Sequence, residues 1–121
     1  MAQPSELTLV IGSVPPSLNR LLRMTWSERH RLSKLWQELI WAERCVRHVG
    51  GFAPFAKARV DIERRSPAIL DTDNAYGSVK VVIDALKTAS ILEDDDPEHL
   101  TLSVTQAKGA SQTTICVRNA P

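Results

Sequence analysis

Asp71 and Asp73 stand one residue apart, Lys80 and Asp84 follow at helical spacing, and Glu93-Asp94-Asp95-Asp96 closes the stretch. Two carboxylates two positions apart, where an extended segment leaves a strand, can point to the same side. If the chain folds back after the intervening helix, Asp95 returns toward that pair. Three converging carboxylates form an all-oxygen site suited to Mg²⁺ or Mn²⁺. Without a cation such a cluster repels itself, which raises carboxylate pKa values and costs stability. On the helix between them, Asp73, Lys80, Asp84 and Lys87 recur at spacings of 7, 4 and 3 and share one polar face, from which Lys80 can reach a metal-bound phosphate.

Simpler chemistry explains each cluster alone. Asp73 suits a helix start, where an acid is favoured by about 0.3–1 kcal/mol. Lys80 and Asp84 can pair at i,i+4 for a few tenths of a kcal/mol. The acidic run can be a solvated turn. A calcium loop of the EF-hand kind fails: counted from Asp71, its positions 5, 6 and 12 are Ala75, Tyr76 and Val82 instead of an oxygen ligand, Gly and Glu.

The elements that must position these groups follow from periodicity. Residues 6–12 read as a strand, and Pro15-Pro16 forces an extended loop. Thr25 and Glu28 have capping-box spacing for a helix running to about Val49, with Gly50-Gly51 as its stop. Leu32, Leu35, Trp36, Leu39, Ala42, Val46 and Val49 are its expected buried stripe. Ala58, Val60 and Ile62 alternate with charged residues as a strand, which "RRSPAIL" then leaves. A second helix spans about Asn74 to Ser90, with Asp73 at its cap and Val79, Val82, Ile83 and Leu86 inward. Residues 100–104 and 113–117 alternate as two strands, expected to form a hairpin. The order β-α-β-α-β-β predicts a single α/β (α+β) domain over residues 1–121: a mixed four-stranded sheet with two helices packed on one face.

Hydrophobic residues make up 43% and charged residues 24% of the 121, an ordinary balance for a folded domain. No apolar run approaches the roughly 20 residues that cross a bilayer, and no signal peptide is read at the start. Cys45 and Cys116 lack ligand spacing and read as buried reduced thiols, which suits a cytoplasmic protein. His30, His48 and His99 show no ligand spacing either. The net charge of +1 hides an asymmetry: residues 1–65 carry 11 Lys/Arg against 6 Asp/Glu, and residues 66–121 carry 4 against 8. A basic half beside an acidic half suits a surface for phosphates next to one for cations.

"PPSLNR", "LDTDN", "VKVVIDALK" and "ILEDDDPEHL", in this order and spacing, resemble the RusA family of Holliday junction resolvases. The resemblance spans nearly the whole chain. It implies a Mg²⁺-dependent endodeoxyribonuclease, with Mn²⁺ as a substitute, that resolves four-way DNA junctions by paired phosphodiester hydrolysis in recombination and repair. It implies catalytic residues Asp71, Asp73, Lys80 and Asp95, the three acids as metal ligands, and a homodimer with two sites related by a two-fold axis. It implies a bacterial, prophage or phage origin. Six residues separate Asp73 from Lys80, more than in the founding type, and Asp94 and Asp96 flank the acid that the resemblance selects. DNA contacts fall on the basic half: Arg20, Arg23, Arg29, Lys34, Arg64 and Arg65, with Arg20 first by its place in "PPSLNR". Two other functions suit the same residues: a DNA-binding phage accessory protein that does not cut, and a metal nuclease acting mainly on forks or flaps.

Overall fold

A computed structural model describes residues 3–121. The elements are β1 (Glu6–Ile11), α1 (Leu18–Leu22), α2 (Trp26–Arg47), β2 (Ala58–Ser66), α3 (Thr72–Ser78), α4 (Lys80–Thr88), β3 (Leu100–Lys108) and β4 (Gln112–Asn119). The four strands form one mixed sheet in the order β1-β4-β2-β3. This is the expected α+β class with a mixed four-stranded sheet.

On β1, β2 and β4 every second residue is buried against the helices along most of the strand: Leu7, Leu9 and Ile11 on β1, Val60 and Ile62 on β2, and Ile115 and Val117 on β4, while no residue of the edge strand β3 is fully buried. Their alternates stay half-buried or exposed, so one sheet face carries the core. Trp36 and Ile40 of α2 and Val79, Val82, Ile83 and Leu86 around α4 fill the space above it.

The expected β3–β4 hairpin is absent. β3 pairs with β2 in parallel and β4 pairs with both β1 and β2 in antiparallel fashion, so β2 lies between the last two strands. Two strand spacings are about 9.6 Å. Four peptide steps from Lys108 to Gln112 reach about 13 Å, so the short connection can straddle β2. Gly109 N–H donates to Ser66 O at 3.1 Å as the turn passes over the end of β2.

Local expectations also change, the first being that the extended loop at Pro15-Pro16 leads into a short helix, α1, capped by Ser17. β2 continues through Ser66 instead of ending near Glu63, and its alternation continues with it. The second helix is two, α3 and α4, broken at Val79 (φ −87, ψ 1). In α2, Trp36, Ile40 and Arg44 face inward, while Leu35, Val46 and Val49 of the expected stripe are exposed. The helix is rotated because Trp36 and Ile40 are the residues that fit the space over the sheet and against α4. Thr25 caps α2 in the expected reciprocal box with Glu28. The resulting hydrogen bonds hold the Glu28 carboxyl below its ordinary value. Cys45 is an exposed free thiol, against the expected burial, and Cys116 is half-buried.

Candidate functional site

Two side-chain amides fix the segment that carries the aspartate pair. Gln106 on β3 grips the Leu70 backbone twice: Nε2 donates to Leu70 O at 2.8 Å, and Leu70 N–H donates to Oε1 at 2.9 Å. Asp71, one residue on, caps α3. Its Oδ1 accepts from Asn74 N–H and its Oδ2 from Asn74 Nδ2, both at 2.9 Å. These bonds, the backbone one foremost, hold the Asp71 carboxyl below its ordinary value, so it is ionised near neutrality. The cap is therefore Asp71, and Asp73 lies in the first turn of α3. Asp73 is exposed, and its side chain has no hydrogen-bond partner among the described residues.

Asn74 also joins this segment to the "PPSLNR" loop, because its Oδ1 accepts from Asn19 N–H at 2.9 Å. The same loop is pinned from below by Arg64. Its guanidinium donates to Pro15 O (2.9 Å), Ser66 Oγ (3.1 Å) and Ser78 Oγ (3.3 Å). Arg64 is only 6% exposed, and burial pushes its pKa down from the usual guanidinium value. Its assignment to DNA is thereby corrected: with β2 running to Ser66, residue 64 continues the inward series 58, 60, 62. Arg65, on the outward face, donates to Ala110 O and Gln112 Oε1 and braces the β3–β4 turn.

At the start of α4, Lys80 Nζ lies 2.8 Å from Asp84 Oδ1 and 3.6 Å from Asp95 Oδ2. Asp95 Oδ1 accepts from Lys87 Nζ at 3.2 Å. The surface pairing and the link to the acidic loop therefore coexist. Asp84, then Asp95, raise the Lys80 pKa against a lowering by desolvation, so Lys80 is a fixed cation and not a base. Asp95 is brought here because the chain after α4 turns back on itself. Ser90 adopts a left-handed conformation (φ 58), Ile91 N–H donates to Leu86 O, and Leu92 bridges to Phe55.

Lys80 and Asp95 are thus brought together, and so are Asp71 and the N-terminal loop. The three acids are not gathered into one ligand set. Among the described residues, the single group of three ligating side chains with atoms within 4.8 Å of one another is Asp94, Asp96 and His99. The expected convergence of Asp71, Asp73 and Asp95 is corrected accordingly. The six-residue gap is the physical reason: residues 74–79 make up the rest of α3, a helix of seven residues and about 10 Å axial length that starts beside the aspartate pair, and the break at Val79 that precedes Lys80. Asp95 is also already engaged by two lysines. Carboxylate oxygens match Mg²⁺ in kind, but in this arrangement Asp95 offers the Asp71/Asp73 pair no third ligand.

The Asp94–Asp96–His99 cluster was not anticipated. Its signal is the i,i+3 spacing of Asp96 and His99, whose Oδ1 and Nδ1 lie 2.6 Å apart. Asp96 raises the His99 pKa, and His99 in turn lowers that of Asp96. Asp96 Oδ1 also accepts from Glu98 and His99 N–H, the work of a turn residue.

Arg20, Arg23 and Lys34 are exposed. Arg29 is exposed too and reaches across to the end of α1, donating from Nε to Leu21 O at 3.1 Å and from Nη2 to Leu22 O at 3.4 Å. Together with Leu18, Leu21, Leu22 and Lys80 it lines a groove of about 360 Å³ between α1, α2 and α4. No helix among the described residues is long and apolar enough to cross a membrane. Scanning the chain against protein-family models gives no match, and a search of curated proteins returns no significant relative.

Proposed function

We propose that this chain is a divalent-cation-dependent endodeoxyribonuclease of the RusA type, acting on four-way DNA junctions as a homodimer. One observation carries the reading. The four motif segments meet in two linked groups: Asn19 of "PPSLNR" with Asn74 and Asp71, 55 residues on, and Lys80 with Asp95 across the turn after α4. A surface helix with decorative charges needs no such links.

In this reading Lys80 neutralises charge that develops on the scissile phosphate. Its raised pKa keeps it protonated for that role. Asp84 and Asp95 orient the ammonium. The Gln106 clamp and the Asn74 bridge hold Asp71 and Asp73 at the start of α3, where oxygen donors suit Mg²⁺ or Mn²⁺. Arg20, Arg23 and Lys34 supply the positive surface that phosphates need.

A second reading has its own support. Because Asp71, Asp73 and Asp95 do not share one ion's reach, a DNA-binding accessory protein that does not cut also fits the arrangement.

The test is direct. The full chain is incubated with a synthetic four-way junction, a fork, a flap and matched linear duplex, in Mg²⁺, Mn²⁺ or EDTA, beside Asp73→Asn. Paired nicks in the junction that need the cation and vanish in Asp73→Asn support the nuclease. Binding without cutting under every cation selects the accessory protein. Faster cutting of forks or flaps than of junctions keeps the nuclease and changes its substrate.

A further inference from the structure

The elbow between α1 and α2 carries an unusual combination. Trp26 is 77% exposed, far more than a tryptophan needs for packing. His30, one turn on, stacks against its indole with ring centroids 5.2 Å apart and planes 8° from parallel. One face is therefore backed and the other is open to solvent.

The surroundings are strongly cationic. Residues 20–34 contain Arg20, Arg23, Arg29, Arg31 and Lys34 and a single acid, Glu28. That acid is held in the capping box, where its Oε1 accepts from Thr25 N–H at 3.0 Å, and its one negative charge is set against five positive ones. Leu22 and Arg29 continue from this elbow into the groove whose other side is formed by Lys80 and Asp84. A strand whose phosphate meets Lys80 can run along that groove to the elbow.

A flat aromatic face backed by a second ring amid cations is the combination that single-stranded nucleic acid uses. Bases stack on the ring and the guanidinium groups neutralise the backbone. Proteins of other kinds also use exposed tryptophans, but a protein partner gains nothing from an almost unrelieved positive rim unless it is acidic. The geometry points to Trp26 as a stacking platform for an unpaired nucleobase of a DNA strand, with His30 as its support and Arg20, Arg23 and Arg29 as its phosphate rim. This rests on the DNA-directed reading above and deepens it: the platform gives the protein a way to hold bases that are unpaired at a branch point.

The experiment uses the full chain in EDTA, so that no cutting interferes, with oligothymidylate as the probe. All fluorescence variants carry Trp41→Phe, because Trp41 is 53% exposed while Trp36 is buried; in that background intrinsic tryptophan fluorescence is expected to fall on titration, and to be unaffected by the oligonucleotide once Trp26→Phe is added. Affinity measured by anisotropy is expected to fall about tenfold in Trp26→Ala, the effect of one lost base stack, and to be largely kept in Trp26→Phe. Quenching that persists in Trp26→Phe overturns the assignment, as does an affinity that Trp26→Ala leaves unchanged. A Trp26→Ala variant that sediments as a smaller species and binds oligothymidylate normally overturns it in favour of a self-association contact. The nuclease reading is judged separately. Junction cutting without Trp26-dependent quenching sinks the platform alone, and Trp26-dependent quenching without any cutting sinks the nuclease alone.

Discussion

Replacing Gly77 by Ala tests how the N-terminal loop is held against the aspartate segment. Gly77 lies inside α3, and on helix propensity alone Ala gains about 1 kcal/mol there. Tertiary packing predicts the opposite sign. A Cβ at this position falls 2.7 Å from Leu18 Cβ and 2.8 Å from its Cγ and Cδ2. The closest of these atoms is attached to the α1 backbone, so no rotamer change of Leu18 relieves it. Overpacking costs about 1–3 kcal/mol, and a clash that only a helix shift relieves belongs at the upper end. The net expectation is a loss of about 1–2 kcal/mol, or roughly 4–8 °C in Tm for a domain of this size. Urea and thermal unfolding of the full chain measure it. The same substitution in a Leu18→Gly background, where all three opposing atoms are gone, is expected to stabilise by about 1 kcal/mol. A Gly77→Ala variant more stable than wild type refutes the packing argument, and so does an equal effect in both backgrounds.

Three further outcomes follow from the same contacts. Arg64→Met leaves Pro15 O and two hydroxyls without their charged donor, at a cost of about 2–4 kcal/mol in urea unfolding, with DNA affinity per folded molecule unchanged. Ser90→Gly relieves a left-handed residue at the end of α4 and is expected to raise stability by about 0.5–1 kcal/mol in thermal unfolding. The capping box holds Glu28 below its ordinary value, so its contribution is present above the unfolded glutamate pKa of about 4.3 and lost as pH falls through the lowered folded value. The stability difference between wild type and Glu28→Gln should therefore be constant from pH 5 to 7 and should decline below about pH 4; urea midpoints measured across that range test it.

The fold class, the sheet composition and the α4 core face were legible because period and alternation are local properties of the chain. Val79, Val82, Ile83 and Leu86 are buried as their spacing predicts. Arg64 was legible too, had the alternation of β2 been followed two residues further. The hairpin was not legible: residues 100–119 carry the same local signals whether β3 and β4 pair or a third strand lies between them. The rotation of α2 was also hidden, because its helix has apolar residues on two stripes and only the space over the sheet chooses between them.

Of the site, the sequence determined which groups are present and that Lys80 has a local partner in Asp84. Tertiary structure alone decided their company. It brought Asp95 to Lys80 and Lys87 through the turn at Ser90 and the Phe55–Leu92 bridge, tied Asn19 to Asn74, and left Asp71 and Asp73 at the far end of α3. The reason is that a carboxylate's partner depends on distances of a few ångströms between segments whose sequence separation says nothing about them. Residue types fix what chemistry is available, and the packing of loops against helices fixes which of it is brought together.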